Sequence, residues 1–142
     1  MAEGAGRRVS AATTPSRAIA LIRRVARPMW ILAGFAAVLE VPGRRTGAPF
    51  QVTLIPWEVD GTWYLLSQYG VTDWVRNLRA AGRGELRRKG RGEAFIAIEV
   101  EGNERDRVIA AFTARTPKPF RRDFDQRPGA ADHPTFRVDP IK

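Results

Sequence analysis

The stretch FQVTLIPWEVDGTWYLLSQ, residues 50–68, decides the fold class of this chain. Residues 50–59 and residues 62–68 are both rich in β-branched and aromatic side chains, which favour strands. Between them lies Asp60-Gly61, a dipeptide typical of two-residue hairpin turns because both positions tolerate a positive φ angle. The sequence therefore predicts a long β-hairpin near the middle of the chain.

Further short strands are predicted on both sides of this hairpin, at residues 36–41, 85–89, 93–101 and 135–138. Few helices separate them, whereas a doubly wound α/β sheet needs a helix after most strands. The pattern predicts a mainly β protein with peripheral helices, built as a small antiparallel barrel of about six strands.

Two helices are predicted within this β region. The first runs from about Thr72 to Ala81 and ends at Gly82. The second is expected to begin after a cap at Asn103 and to cover about residues 104–114.

The N-terminal part divides into two segments. Residues 1–14 are predicted to form a flexible tail of small residues, and residues 15–142 are predicted to form a single domain. From Pro15 onward, apolar residues recur at helical spacing between arginines until Pro28, which predicts a basic amphipathic helix. This helix packs on its own barrel or lies on a membrane surface.

The composition points to an anionic partner. The chain carries a formal net charge of +9, and 21 of its 24 basic residues are arginines, since only Lys89, Lys118 and Lys142 are lysines. The planar guanidinium pairs with phosphate or carboxylate in two-point contacts. The partner is a nucleic acid, an anionic membrane or an anionic small molecule; a GC-rich genome is the alternative source of the excess.

Several classes of site are disfavoured by the residues that the chain lacks. There is no cysteine, which excludes disulfides and thiolate chemistry, and we expect a cytoplasmic protein. The single histidine, His133, has no second ligand or triad partner nearby in sequence, so no metal site is predicted.

The loop PGRRTGAP, residues 42–49, is the sharpest candidate for a binding site. Gly43 allows close approach of a ligand to the backbone, while Arg44, Arg45 and Thr46 supply donors for a phosphate. The alternative is a solvated basic turn.

A second candidate is the helix segment TDWVRNL, residues 72–78, where Asn77 lies at the edge of the apolar face. Its Trp74 is a ligand contact or simply a core residue.

Together these two motifs carry a family resemblance. The segment VLEVPGRRTGAPFQVTLIPWEVDGTWYLLSQYGVTDWVRNL, residues 38–78, resembles the deazaflavin-dependent nitroreductase family, with its GR(R/K)(S/T)G loop, long hairpin and WxxNL helix. The continuation RAAGRGELRRKGR is similar to one of its actinobacterial branches.

The resemblance implies a split β-barrel of the FMN-binding-like type and an oxidoreductase that takes hydride from reduced coenzyme F420, a deazaflavin with a phosphate and an oligoglutamate tail. The implied acceptor is a small apolar compound such as an enone, a quinone or a nitro compound. The implied cofactor-binding residues are Gly43, Arg44, Arg45, Thr46, Phe50, Gln51, Val52, Thr53, Leu54, Ile55, Ser67, Gln68, Trp74 and Asn77. A tyrosine-rich C-terminal segment found in one relative is absent, which leaves Tyr69 as the candidate proton donor.

Other interpretations of the same residues remain open. The barrel could hold FMN instead of F420, or carry the cofactor without turning over an acceptor. A nucleic-acid-binding barrel, with Trp57, Trp63 and Tyr64 as a stacking platform, is a different class of function. Related barrels pair, so we also expect a homodimer.

Overall fold

The computed structural model describes residues 36–141. The elements are β1 (Ala37–Pro42), β2 (Pro49–Leu54), β3 (Trp57–Val59), β4 (Thr62–Leu66), α1 (Asp73–Ala81), β5 (Arg83–Arg88), β6 (Arg91–Val100), α2 (Gly102–Arg115), α3 (Arg122–Asp125) and β7 (Thr135–Pro140), with 3₁₀ turns at Lys118–Phe120 and Ala130–Asp132. The predicted tail and amphipathic N-terminal helix lie outside the described residues. None of the helices between residues 36 and 141 has the length and hydropathy of a membrane span.

The seven strands of the described residues join one antiparallel sheet in the order β2-β1-β5-β6-β7-β4-β3. The edge strands β2 and β3 are joined by only Ile55 and Pro56. Seven flat strands would place the two edges about 29 Å apart, whereas this link spans at most about 11 Å. The sheet therefore curls into a barrel that stays open between β2 and β3, which confirms the predicted split barrel.

The sheet has one strand more than the sequence predicted, because residues 50–59 form two strands instead of one. Proline has no N–H to donate to a ladder, so Pro56 ends the pairing of this segment. The chain bends there and crosses from one edge of the barrel to the other.

Both two-residue hairpin turns place residues at positive φ. The predicted Asp60-Gly61 turn is confirmed, with φ angles of 53° and 82°. The turn between β5 and β6 is Lys89-Gly90, with φ angles of 51° and 77°, whereas the strands predicted at residues 85–89 and 93–101 left residues 90–92 for the turn.

The first helix agrees with its prediction and the second begins differently. α1 ends at Gly82, whose φ of 68° lets its N–H bond to the Leu78 carbonyl at 2.8 Å. α2 begins at Gly102 with Glu101 in the cap position, so the predicted cap at Asn103 was wrong, and Asn103 lies in the first turn.

The barrel interior forms the main core, where Leu39, Leu65, Phe95 and Phe136 are almost fully buried. α1 contributes to this core and packs against β1, β2, β5 and β6. α2 covers the outer face of the sheet, where its buried residues meet β4 and α3. This arrangement places α1 beside the loop between β1 and β2.

Candidate functional site

The loop between β1 and β2 is closed by its own hydrogen bonds. The Gly43 N–H donates to the Ala48 carbonyl at 2.8 Å, and the Gly47 N–H donates to the Gly43 carbonyl at 2.8 Å. The Ala48 N–H donates to Thr46 Oγ1 at 3.2 Å. Within the described part of the chain, the neighbouring N–H groups of Arg45 and Thr46 have no partner, so they are free to bind an anion.

Arg44 fixes this loop to α1. Its backbone N–H donates to Asn77 Oδ1 at 3.1 Å, and its Nη1 donates to the same oxygen at 2.8 Å. Its Nη2 forms an ion pair with Asp73 Oδ1 at 3.3 Å. The two motifs of the sequence, 33 residues apart, therefore meet through one arginine.

Arg45 has a different environment. Its side chain is exposed, and it forms no ion pair with any residue between 36 and 141. The neighbouring Thr46 is also exposed, and its hydroxyl hydrogen remains available because Oγ1 acts as an acceptor within the loop. The loop thus presents a guanidinium, two amide groups and a hydroxyl to solvent.

The arginines of α1 add little unmatched positive charge beside the loop. Arg79 forms a two-point contact with Glu99 of β6, at 2.8 and 2.7 Å. This hydrogen bonding raises the pKa of Arg79, whose positive charge is therefore matched by a carboxylate. Arg76 lies 3.8 Å from Asp73, so the charge available to a ligand is concentrated on the loop.

Trp74 packs as a core residue. It is 9% exposed, and its ring centroid lies 6.0 Å from that of Phe136 inside the barrel. Little of its surface is accessible to a ligand, and its predicted contact with a cofactor stays a prediction.

Strand β2 presents alternate residues to the two faces of the sheet. Phe50, Val52 and Leu54 pack on the main core. Gln51 is exposed and donates to Glu40 at 2.7 Å, while Thr53 and Ile55 are half-buried. A cofactor groove on one face of the sheet would therefore contact only alternate side chains of residues 50–55, and not all six as predicted.

Ser67 and His133 form a buried network between β4 and α1. The Ser67 hydroxyl donates to the Gly70 carbonyl, and the Ser67 N–H donates to the Pro134 carbonyl at 2.9 Å. The ring nitrogens of His133 lie 3.0 Å from the Ser67 carbonyl and 2.6 Å from the Arg127 carbonyl. These side chains are buried and shape the segment instead of facing a ligand.

Tyr69 lies in an open cavity of about 420 Å³ beside this network. The cavity is lined by Tyr69, Gly70, Val71, Gln126, Arg127, Pro128, Ala131 and Asp132. Two buried atoms without a hydrogen-bond partner among the described residues, Gln68 Oε1 and Thr72 Oγ1, belong to the residues on either side of the segment 69–71.

The aromatic residues of the central hairpin do not form a stacking platform. Tyr64 is buried, Trp57 packs edge-on against Phe112 at 5.3 Å, and Trp63 lies under the guanidinium of Arg88 at 4.5 Å. The alternative of a single-stranded nucleic-acid platform therefore loses its structural basis.

The donors present fit a phosphate-bearing cofactor. Guanidinium, consecutive amides and a hydroxyl on an exposed loop are the groups that bind phosphate. No group of three or more acidic or histidine side chains between residues 36 and 141 could hold a metal ion. An organic anion fits this site better than a metal.

Some of these residues carried no signal in the sequence. The spacing of Asp73 and Asn77 shows that both lie on one face of α1, but not that Arg44 reaches that face. Arg127 and Asp132 line the cavity only because the C-terminal segment folds back beside Tyr69.

Solved structures with this fold have diverse functions. An F420-H2-dependent reductase, FDR-A, is 19% identical, with a TM-score of 0.58 over 74% of this chain and 94% of that chain. The heme storage protein HutZ from Vibrio cholerae is 14% identical, with a TM-score of 0.60 over 82% of this chain and 89% of that chain. A third structure, described as a domain-swapped dimer, is 15% identical, with a TM-score of 0.58 over 84% of this chain and 98% of that chain.

These likenesses show the fold, and the family follows from the sequence match. None of the curated proteins matches the chain. The family model described as F420H(2)-dependent quinone reductase matches residues 23–127, which include the loop between β1 and β2 as well as α1. The chain therefore belongs to the F420H(2)-dependent quinone reductase family and is an oxidoreductase with coenzyme F420 as its cofactor.

Proposed function

We propose that this enzyme reduces a small apolar acceptor, such as a quinone or an enone, and that the loop of residues 43–48 holds the cofactor phosphate. The observation that carries the proposal is the loop itself, which is latched to α1 through Arg44 and exposes the unpaired amides of Arg45 and Thr46. When bound, the reduced deazaflavin supplies the hydride.

The loop residues have separable roles in this proposal. Arg45 and the two free amides contact the phosphate, and the Thr46 hydroxyl donates a further hydrogen bond. A guanidinium contact with phosphate contributes about 1.5–3 kcal/mol. Its loss therefore weakens binding by about 10- to 100-fold.

The cavity beside Tyr69 is the proposed acceptor site. Val71, Pro128 and Ala131 give it apolar walls, while Tyr69 and Arg127 bring hydrogen-bond donors that suit the carbonyl oxygens of a quinone. Tyr69 is the proposed source of the proton that accompanies hydride transfer. A nitro compound is a third acceptor to test.

Titration of the protein with F420 and with FMN, followed by fluorescence and absorbance, tests the cofactor site. We expect Arg45→Ala to bind F420 about 10- to 100-fold more weakly than wild type. Arg91→Ala is the matched control, because Arg91 is exposed at the far hairpin of the sheet. Equal affinity of Arg45→Ala and wild type would remove the phosphate assignment.

Turnover separates an enzyme from a cofactor carrier. Reduced F420 is mixed with menadione, an enone and a nitroaromatic compound, and its oxidation is followed. We expect Tyr69→Phe to lower kcat for an acceptor without changing the Kd of F420. A protein that binds the cofactor but oxidises it with none of the acceptors would be a carrier.

We also propose that the protein is a homodimer. One structural neighbour is a domain-swapped dimer, and Ile96 and Ile98 on the outer face of β6 are exposed apolar residues. Sedimentation equilibrium should give about twice the 15.8 kDa of the chain. A single 15.8 kDa species at micromolar concentration would overturn this proposal.

A further inference from the structure

We propose that Asn77 and Asp73 are positioning residues, which form a latch on Arg44. The inference rests on the proposed phosphate site of the loop. It assigns contact with the anion to Arg45 and to the two free amides. It also makes Asp73 a fixed negative charge beside the site, which keeps the affinity for the phosphate below its maximum.

The hydrogen bonds of Asn77 support its positioning role. Both Arg44 groups that face its side chain are donors, so the atom between them is the carbonyl oxygen. A carbonyl oxygen has two lone pairs, and Arg44 uses both. Asn77 is 3% exposed, so this oxygen is neither free nor accessible to accept a hydrogen bond from a ligand.

The charges around Arg44 support the role of Asp73 as a negative charge beside the phosphate site. Its guanidinium faces the carboxylate of Asp73 at 3.3 Å, and the carboxylate has only one further cation nearby, Arg76 at 3.8 Å, among the described residues. Arg45 has no such counter-charge within the described chain. An arriving phosphate is therefore attracted mainly by Arg45 and is repelled by Asp73.

The helix explains why the latch holds. Asp73 and Asn77 are four residues apart, one turn of α1, so both reach the same arginine. Trp74 and Leu78 anchor the neighbouring face of α1 in the core. The loop is thus tied to a helix that cannot shift without disturbing the core.

The first test is Asp73→Asn, which keeps a hydrogen-bond acceptor for Arg44 and removes the charge. We expect the Kd of F420 to fall about two- to fivefold at low ionic strength. The gain should shrink in 0.5 M salt, where the Debye length is about 4 Å. The deazaflavin core without its phosphate should bind both proteins equally.

Asp60→Asn is the matched control, since Asp60 is 81% exposed at the opposite hairpin and undergoes the same chemical change. It should leave the Kd of F420 unchanged. Weaker or unchanged F420 binding by Asp73→Asn, with the control at wild-type level, would overturn the role of Asp73.

The second test is Asn77→Leu, which leaves the Arg44 N–H without its acceptor. We expect about tenfold weaker binding of F420 and wild-type binding of the phosphate-free core. Asn77→Asp restores the acceptor and should recover the melting temperature. It should bind F420 more weakly than wild type, because it adds a second negative charge.

Two outcomes would contradict the latch. Wild-type affinity of Asn77→Leu for F420 would show that the contact is not needed, and an equal loss for the phosphate-free core would place Asn77 at the ring. If wild type itself binds no F420, the proposed cofactor site fails. If wild type binds F420 and Asn77→Leu gives either of the two results above, the latch fails and the proposed cofactor site stands.

Discussion

His133 shows what a single buried side chain does in this protein. Its ring nitrogens contact main-chain carbonyls of Ser67 and Arg127, and its ring stacks on Phe124 at 3.8 Å between centroids. Because Arg127 lines the cavity and Ser67 begins the segment that forms its other wall, the ring joins both walls. The histidine is a structural brace of the proposed acceptor site.

We expect His133→Ala to lower the free energy of unfolding by about 2–4 kcal/mol, because the contacts of the ring nitrogens with the Ser67 and Arg127 carbonyls are lost and a cavity opens beside Phe124. Urea unfolding followed by tryptophan fluorescence measures the change. The neighbouring exposed residue provides the control, Asp132→Ala, with an expected effect within about 0.5 kcal/mol. Equal effects of the two substitutions would contradict the brace.

At the scale of elements, α2 is joined to the sheet by Glu104. Tyr64 of β4 donates to Glu104 Oε2 at 2.8 Å, and Arg137 Nη1 of β7 donates to the two carboxylate oxygens at 3.3 and 3.2 Å. The hydrogen bond from Tyr64, followed by that from Arg137, lowers the pKa of Glu104, against the opposing effect of burial. Burial, together with the bond to Glu104, raises the pKa of Tyr64.

These shifts predict how stability changes with pH. A carboxyl group whose pKa is lower in the folded state stabilises the fold above its unfolded pKa, and the contribution is lost as pH falls through the folded pKa. Tyr64 has a raised pKa in the folded state, so it stabilises the fold below its unfolded pKa. This stabilisation is lost as pH rises through the folded pKa.

We therefore expect Glu104→Gln to unfold more easily than wild type near neutral pH and to lose less stability than wild type between about pH 5 and pH 3. Thermal unfolding across this range is the measurement. Glu101→Gln, an exposed change next to α2, is the control. Parallel curves for Glu104→Gln and wild type would contradict the role of the carboxylate.

At the scale of the whole molecule, the barrel has two edges that are not paired with each other. Among residues 36–141, strands β1, β5, β6, β7 and β4 have partners on both sides, whereas β2 and β3 have one each. Edge strands leave one row of amides unpaired, so they open more easily than central strands.

Hydrogen exchange tests this open barrel. We expect the amides of β5 and β6 to exchange most slowly and those of β2 and β3 markedly faster, because local opening begins at the unpaired edges. Saturating F420 should slow exchange at Arg45 and Thr46, whose amides have no partner in the described chain. Equal protection of β2 and the central strands would indicate a barrel closed by β2–β3 pairing.

Local sequence determined much of this protein. The Asp60-Gly61 turn, the strand character of the hairpin, and a helix ending at Gly82 follow from conformational preferences of neighbouring residues, and all three are confirmed. The loop of residues 43–48 was also recognisable as a candidate anion site, because its glycines and arginines lie within a few residues of each other in the sequence. Its binding role stays a prediction.

Only the tertiary structure decided how these parts meet. Arg44 reaches Asn77 across 33 residues, and His133 reaches Ser67 across 66, and no local preference encodes such a distance. Pairing of Arg44 with α1 depends on the curl that brings the loop beside the helix, and the curl depends on the short link at Pro56 between two opposite sheet edges. Chain geometry and the packing of distant segments, rather than the residues taken singly, determine which donors remain free to bind a ligand.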